Sequence, residues 1–286
     1  SQQNGPANTF TTSLLTNGQT VTVKATTTTG CSATSSGVTT FVNILTATLS
    51  STDSDNKICQ GESITFTANA PTATTYEFFV NGLSVQNSAT NLYTTSLLTN
   101  GQTVTVKATT ATGCSATSSG ITTTVNPLPA VSLSSSDADN TICQGEQVTF
   151  TANSATAVNY EFFVDGISKQ NGTSHQFITN SLTSGQVISV TVKDNNGCSS
   201  TSNLIPFTVS PIPVIILTSL DADNTICPGE AVTFTASASV ATVSSYEFFV
   251  NGLSQQNGPA NTFTTSLLTN GQTVTVKATT TTGCSA

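Results

Sequence analysis

The chain has 286 residues, a net charge of −8 and only 7% charged side chains, against about 25% in an ordinary soluble domain. The six basic residues are scattered, which argues against a nucleic-acid partner, because such a partner requires a basic surface. No apolar run approaches the roughly 18 residues of a spanning helix, so no membrane span is expected. Seven cysteines at regular spacing indicate a disulfide framework and an extracellular or cell-surface location.

The chain begins with the pattern of a partial module. Asn17-Gly18 is typical of a tight type I′ turn between two strands. The segment after it alternates with a period of two, which predicts a half-buried strand with Val21, Val23 and Ala25 facing a core.

A whole module follows, and its acidic, cysteine-containing start recurs. Asp53–Asn69 returns as Asp137–Asn153, and the same pattern begins again at Asp221, each time 84 residues later. About seven short strands are predicted in each module, with turns every 8–12 residues and no helical periodicity. This pattern predicts an all-β fold of tandem immunoglobulin-like β-sandwich modules. In the first whole module the clearest predicted strands are Thr46–Leu49, Ser63–Ala68, Tyr76–Val80, Leu92–Ser96, Thr103–Ala108 and Gly120–Val125.

The Pro-rich segments 126–129 and 210–213 read as short, stiff linkers between modules. The predicted organisation is therefore the C-terminal part of a module, two whole modules, and a module without its last strand. These correspond to residues 1–43 (the half-module), 44–127 (module 1), 128–211 (module 2) and 212–286 (module 3). Because Ser1–Ala33 is identical to Ser254–Ala286, we expect the chain to be a window of a longer periodic polypeptide.

The order of motifs also resembles a known repeat type. The motifs are Asp137-Ala-Asp-Asn-Thr-Ile-Cys143, then Tyr76-Glu-Phe-Phe-Val80 followed by Asn-Gly, and then Gly113-Cys114-Ser115 and their counterparts. Together they resemble the Ig-like or PKD-like repeats of giant Bacteroidota surface proteins, which include gliding adhesins exported by type IX secretion. The resemblance covers essentially the whole chain and implies a stalk more often than a specific ligand.

Each whole module has one cysteine just before its second predicted strand and another in the loop after its sixth. The first set is Cys59, Cys143 and Cys227, and the second is Cys114, Cys198 and Cys284. In an Ig-like sandwich these two places lie at opposite ends. A seven-residue strand spans roughly 23 Å, whereas a disulfide needs α-carbons within about 7 Å. We therefore favour bonds between neighbouring modules, Cys59–Cys198 and Cys143–Cys284.

The alternative keeps each bond within one module. It pairs the cysteines as Cys59–Cys114, Cys143–Cys198 and Cys227–Cys284, because the sandwich topology is itself inferred. Cys31 is the seventh cysteine, and interchain bonds or free thiols remain a third alternative. A zinc site is disfavoured, since no Cys-x-x-Cys pair is present.

The acidic triplet near each module start has two interpretations. Alternating oxygen ligands suit a hard cation such as calcium, which would be the one cofactor. The plainer interpretation is that Asp and Asn form turns and keep the edge soluble. The residues concerned are Asp53, Asp55, Asn56, Asp137, Asp139, Asn140, Asp221, Asp223 and Asn224.

Consecutive phenylalanines mark one strand of each module. Phe78 and Phe79 must face opposite sides of their strand, so one fills the core and the other lies under a loop or forms a lateral contact. No arrangement of nucleophile and base is visible, and the single histidine, His175, has no counterpart in the other modules. The sequence therefore predicts a protein that is not an enzyme.

Two functions remain after these exclusions. The first is a structural segment of a long extracellular filament or cell-surface stalk that self-associates. The second is an adhesin array that binds glycans or another cell surface. Near-identical modules favour the first, because no cluster of aromatic and polar residues stands out in the variable loops.

Overall fold

The computed structural model describes residues 2–239 and 242–286, so Ser1 of the half-module and two residues of module 3 lie outside the description. The described residues form strands and turns. The chain divides into two compact units, Ser1–Pro127 and Leu128–Ala286, which are described separately. The architecture is all-β, a tandem series of immunoglobulin-like sandwiches.

The half-module forms two small antiparallel ladders, β1 with β4 and β2 with β3. Its strands are β1 (Thr20–Val21), β2 (Lys24–Thr26), β3 (Ser32–Thr34) and β4 (Val38–Thr39). The predicted inward face is wrong here, because the side chain of Val23 is 64% exposed and Ala25 is also exposed. Alternating apolar side chains form a core only when a second sheet packs against them. In the described residues, no second sheet packs against these strands.

Module 1 has two main sheets that face each other. One sheet has the order β5-β7-β10, and the other is built on the hairpin β8-β9 and the long strand β11. Phe66 on β7 and Phe78 on β8 are wholly buried between them. The strands are β5 (Thr48–Ser51), β6 (Lys57–Cys59), β7 (Ile64–Asn69), β8 (Ala73–Val80), β9 (Leu83–Ser88), β10 (Leu92–Thr95), β11 (Thr103–Thr110), β12 (Ser115–Thr117), β13 (Ile121–Thr122) and β14 (Thr124–Asn126).

A closing segment, β13 and β14, joins the two sides of module 1. Strand β13 pairs with β11, placing Ile121 opposite Val104. Strand β14 then runs parallel to β6, with Asn126 opposite Cys59. The closing segment therefore covers the end of β11 and fixes the strand that carries the first cysteine of the module.

Module 2 repeats this topology strand for strand. Its parallel pair, β16 with β24, places Cys143 opposite Ser210. Its core includes Phe150, Phe162 and Phe207, and Phe207 comes from the closing segment. The strands are β15 (Ser132–Ser135), β16 (Thr141–Cys143), β17 (Val148–Asn153), β18 (Ala157–Val164), β19 (Ile167–Gly172), β20 (Gln176–Thr179), β21 (Val187–Asp194), β22 (Ser199–Thr201), β23 (Ile205–Pro206) and β24 (Thr208–Ser210).

Module 3 keeps the two main sheets, β25-β26-β29 and β28-β27-β30. Its described residues contain no closing strands, and the segment Thr225–Cys227, which corresponds to β6 and β16, is not a strand. The strands are β25 (Ile215–Ser219), β26 (Val232–Ala238), β27 (Val243–Val250), β28 (Leu253–Gly258), β29 (Thr262–Thr265) and β30 (Val274–Thr280).

Candidate functional site

The first cysteine of module 2 is held by a turn that closes on itself. The N–H of Glu146 donates to the carbonyl oxygen of Cys143 at 2.9 Å. In return, the N–H of Cys143 donates to Oε2 of Glu146, also at 2.9 Å. Gly145 permits this turn, because its φ of 81° is rarely adopted by other residues. The backbone therefore fixes the direction in which the Cys143 side chain leaves β16.

The loop cysteine of module 3 is held as firmly. The N–H of Cys284 donates to Oγ1 of Thr280 at 3.0 Å, and the N–H of Thr280 donates to the carbonyl oxygen of Cys284 at 2.8 Å. Gly283 has a φ of 85°, and its N–H donates to the carbonyl of Thr280. Because Cys284 is buried, its sulfur has one fixed environment.

These two cysteines form a disulfide that joins module 2 to module 3. Their α-carbons lie 5.5 Å apart, although 141 residues separate them in the sequence. The sulfur of Cys284 also lies 3.9 Å from the carbonyl oxygen of Ser210, at the start of the Pro-rich linker. The bond therefore fastens the loop of module 3 beside the point where module 2 ends.

The within-module pairings Cys143–Cys198 and Cys227–Cys284 are wrong in the structure, because Cys143 and Cys284 bond to each other. Cys59–Cys114 is also wrong, since Cys114 has a free thiol.

The physical reason is the length of β21. Its Val187 end pairs with Pro206 near the closing segment and Cys143, whereas Cys198 follows its Asp194 end. Eight residues of strand separate these ends by roughly 26 Å.

Three other cysteines differ from this pair. Cys31, Cys114 and Cys227 carry free thiols, and Cys31 and Cys227 are exposed. Cys227 has the same closed turn as Cys143, because its N–H donates to Oε2 of Glu230 at 2.8 Å. The pairing Cys59–Cys198 stays a prediction.

The acidic triplets shape turns in all three modules. The carboxylates of Asp137 and Asp139 both accept a hydrogen bond from the N–H of Thr141, at 3.0 and 2.9 Å. In modules 1 and 3 the equivalent aspartates accept hydrogen bonds in the same way from the N–H of Lys57 and of Thr225. Asn56, Asn140 and Asn224 have φ values of 56°, 59° and 57°, a left-handed conformation that asparagine tolerates.

The same hydrogen bonds affect the acidity of two of these groups. The side chain of Asp53, followed by the N–H of Lys57, lowers the pKa of Asp55 below its ordinary value of 3.8. The N–H of Thr225, followed by the side chain of Asp221, lowers the pKa of Asp223. In the part of the chain that the structure describes, no three His, Cys, Asp or Glu side chains lie together as a metal site. The calcium interpretation stays a prediction from the sequence pattern.

The consecutive phenylalanines divide between the two faces of their strand, as predicted. Phe78, Phe162 and Phe248 are wholly buried, whereas Phe79, Phe163 and Phe249 are half-buried on the other face. Each module therefore presents one partly accessible aromatic ring on the outer face of the sheet that contains its Phe-Phe strand, which is β8, β18 or β27.

Sequence reasoning missed the part that the glutamates play. Glu62, Glu146 and Glu230 each lie three residues after the first cysteine of a module and accept its N–H. The Cys-x-Gly-Glu spacing could have indicated this turn, because a carboxylate three residues on can reach back to a backbone N–H, as in a capping box.

The sheets, the closing segments and the Cys143–Cys284 bond together define a tandem array of immunoglobulin-like domains with a covalent link between neighbours. A family model described as an Ig-like domain, CHU_C associated, matches residues 47–127 and 129–211. These matches cover more than half of the chain, which therefore belongs to this family.

Two solved structures show a distant likeness to the chain. The fibronectin(III)-like modules of Clostridium thermocellum CbhA are 15% identical, with a TM-score of 0.35 over 57% of this chain and 95% of that chain. The Bacteroides ovatus protein SGBP-B, in complex with a mixed-linkage heptasaccharide, is 14% identical, with a TM-score of 0.23 over 80% of this chain and 60% of that chain. At identities and TM-scores this low, the ligands and activities of those proteins cannot be assigned to this chain.

No curated protein sequence matches the chain. Among the described residues, no helix has the length and apolar character needed to cross a bilayer.

Proposed function

We propose that the chain is a non-catalytic structural segment of a long extracellular filament or cell-surface stalk, in which disulfides fasten each module to the next. The observation that supports this proposal most directly is the Cys143–Cys284 bond between modules 2 and 3. A bond within one module would stabilise that module alone, whereas this bond makes two neighbours one covalent unit. The family and the disulfide chemistry support a place on the surface of a Bacteroidota cell, reached by type IX secretion.

The bond would change how the array responds to tension. A pulling force that enters before module 2 and leaves after module 3 passes through the disulfide. The residues between Cys143 and Cys284 are then excluded from extension even if their strands separate. At about 3.5 Å per extended residue, the 141-residue separation corresponds to roughly 490 Å of contour length. A stalk built in this way would keep its length under load.

Repetition extends the same argument to the preceding junction. Cys59 occupies the same place in module 1 as Cys143 in module 2, and its N–H donates in the same way to a glutamate three residues on. With a Cys59–Cys198 bond, the segment between these two cysteines would overlap the segment between Cys143 and Cys284. Every module of a longer array would then be protected from extension by at least one disulfide.

Force spectroscopy on the full chain, held at its two ends, tests the proposal. We use a C59S background, so that only the bond between modules 2 and 3 is measured. Reduction is expected to add about 490 Å to the fully extended length, and C143S should show this longer length without reductant. The matched control is C227S, which removes a free thiol and should behave like the background. Equal extended lengths before and after reduction would refute the proposal.

A second candidate, an adhesin array, is favoured by one observation. The half-buried rings of Phe79, Phe163 and Phe249 repeat on the outer face of the sheet that contains β8, β18 or β27, where an aromatic ring can stack on a sugar face. Binding of the wild-type chain to a glycan array, with loss of binding in F163S and retention in a variant of an exposed aliphatic side chain such as I167S, would establish this function instead.

A further inference from the structure

Module 2 has a cavity at the corner where its first strand begins. The cavity has a volume of about 760 Å³ and lies between the start of β15, the end of β17 and the residue that precedes β20. Its lining includes Val131, Asn153, Ser154, Tyr160 and His175. A volume of this size is in the range of sites that hold small organic ligands.

The hydroxyl of Ser154 is a polar group that module 2 does not use internally. Its Oγ is buried and has no hydrogen-bond partner among the described residues. Modules 1 and 3 have alanine at the same place, Ala70 and Ala238, so the fold does not require a hydroxyl there. A buried hydroxyl without a partner is unfavourable. Because Ser154 lines the cavity, rotation about its Cα–Cβ bond can bring the hydroxyl to a ligand there.

The imidazole of His175 is a second unused polar group. In module 1 its place is taken by Asn91, whose Nδ2 donates to the carbonyl oxygen of Ala68 at 3.0 Å, and Asn261 of module 3 bonds in the same way at 3.1 Å. In the described residues the His175 ring makes no hydrogen bond and packs edge-on against Tyr160, with ring centroids 6.3 Å apart. Both ring nitrogens are therefore available to a ligand.

The tyrosine of module 2 leaves this corner open. In module 1 the hydroxyl of Tyr76 donates to the carbonyl oxygen of Ala70 at 3.3 Å. In module 2 the hydroxyl of Tyr160 donates instead to the carbonyl oxygen of Ala157, at 3.4 Å. The backbone at Ser154, which corresponds to Ala70, does not receive this bond, and the cavity lies beside it.

A preceding module leaves the corner accessible. In module 3 the corresponding residues Val214 and Ile216 are 66% and 61% exposed, although module 2 precedes them in the same compact unit. The sheet register matches them to Ala130 and Ser132, which line the cavity of module 2. His175 is exposed as well. A ligand can therefore reach the cavity within an array.

The lining favours a polar ligand without charge. Among the described residues that line the cavity there is no carboxylate and no ammonium group, so a charged ligand would lose hydration without gaining a partner. The hydroxyl, amide and neutral imidazole groups each donate and accept hydrogen bonds, as sugar hydroxyls do. Val131, Ala152 and the ring of Tyr160 supply apolar contact that suits the C–H face of a sugar ring.

We propose that the cavity of module 2 binds a neutral saccharide, with Ser154 and His175 as the residues that recognise its hydroxyl groups. This inference goes beyond the proposed structural function, because a stalk requires no ligand. It also differs from a binding array, since modules 1 and 3 have alanine and asparagine at the two positions. The site gives the repetitive chain one defined attachment point.

Proton NMR of the full chain tests the proposal, because His175 is the single histidine and its imidazole C–H signal needs no assignment. The probes are maltose, cellobiose and lactose, added at constant pH. We expect at least one of them to shift this signal saturably, and S154A to weaken binding at least about tenfold. An unsulfated chondroitin disaccharide, which carries a carboxylate, is the charged control and should bind at least about tenfold more weakly than the best neutral probe.

Saturation transfer to the disaccharide supplies a measurement that does not need the histidine signal. H175N and S154A introduce the residues of module 1, so both variants should fold, and both should lose the transfer seen with the wild-type chain. The matched control is I178T, at a 53% exposed position of β20, which should bind as the wild-type chain does.

Three results would overturn the inference. The first is the absence of any shift with all three neutral disaccharides. The second is equal binding by wild type, H175N and S154A, which would place the sugar elsewhere on the chain. The third is equal binding of the charged disaccharide, which would contradict the ligand class. Because neither variant touches a cysteine, these results would leave the force measurement and the structural function standing.

Discussion

Modules 2 and 3 share their two main sheets but differ in how well those sheets enclose a core. In the described residues, module 2 has a core cluster of fourteen buried side chains, whereas the cluster of module 3 has three. The strand sequences alone do not explain this difference, because the positions of Ile188 and Val190 on β21 are also apolar on β30, where they are Val274 and Val276. The closing segment explains it, since the stretch from β23 to β24 adds Ile205 and Phe207 to the core of module 2. The closing segment, which is the C-terminal part of the module, therefore completes the buried core.

Loss of the disulfide should have the largest effect, because the less enclosed module 3 gains from being tied to module 2. For a loop of this length, the chain-entropy model gives a stabilisation of about 5 kcal/mol. C143S should therefore lower the urea midpoint of module 3 strongly, and C227S should not change it. Coincident unfolding curves for wild type and C143S would show that the bond adds no stability.

Removal of the closing aromatic should have the next largest effect, on module 2. Phe207 is 2% exposed, and its ring centroid lies 5.2 Å from that of Phe150. F207T is expected to cost about 3 kcal/mol, through lost burial and the cavity that remains. Thermal unfolding monitored by a probe in module 2 checks this value. A change below about 1 kcal/mol would mean that the core closes without this ring.

Module 1 offers the converse test, because Thr123 stands where module 2 has Phe207. Its Oγ1 is buried and has no hydrogen-bond partner. T123V should therefore stabilise module 1 by about 1 kcal/mol, since it removes a desolvated hydroxyl. T122V is the control, because Oγ1 of Thr122 is already bonded to Oγ1 of Thr103 at 2.8 Å. Destabilisation by T123V in chemical denaturation would contradict this reading of the core.

Sequence alone predicted the parts of the fold that rest on local chemistry. Asn-Gly is typical of a tight turn, and the pair after β8 forms one, with φ values of 48° for Asn81 and 79° for Gly82. At Asn17-Gly18 the predicted type I′ turn is wrong, because only Gly18 has a positive φ. The strands with alternating apolar residues were also predicted, because one of their faces is buried. Strand β9 was not, since Leu83–Ser88 is a largely exposed edge strand with only two apolar residues, Leu83 and Val85.

The candidate site was harder to predict for a different reason. The positions of the cysteines at opposite ends followed from strand length, but the choice of partner depends on how successive modules stack. That arrangement depends on long-range contacts, such as the approach of Cys284 to Ser210, and no local pattern encodes them. The exposure of Val23 was missed because alternation of apolar and polar residues indicates which face of a strand can be buried. It does not indicate whether a second sheet is present to bury that face.

The smallest expected effect concerns pH and the turn of module 3. The lowered pKa of Asp223 means that its carboxylate form is favoured in the folded state. Its contribution is therefore present above the ordinary value of 3.8 and is lost as pH falls through the lower folded value. Melting of module 3 between pH 5 and pH 3 should show a slight decline that D223N reduces. An equal decline in D223N would assign the acid sensitivity to other groups.

The central claim is that covalent bonds join successive modules rather than the two ends of one module. Peptide mapping of the protein, without reduction and with thiols blocked before digestion, tests it most directly. The account predicts a linked peptide pair that contains Cys143 and Cys284, with Cys227 recovered as a blocked thiol. Linked pairs that join Cys143 to Cys198 and Cys227 to Cys284 would contradict it.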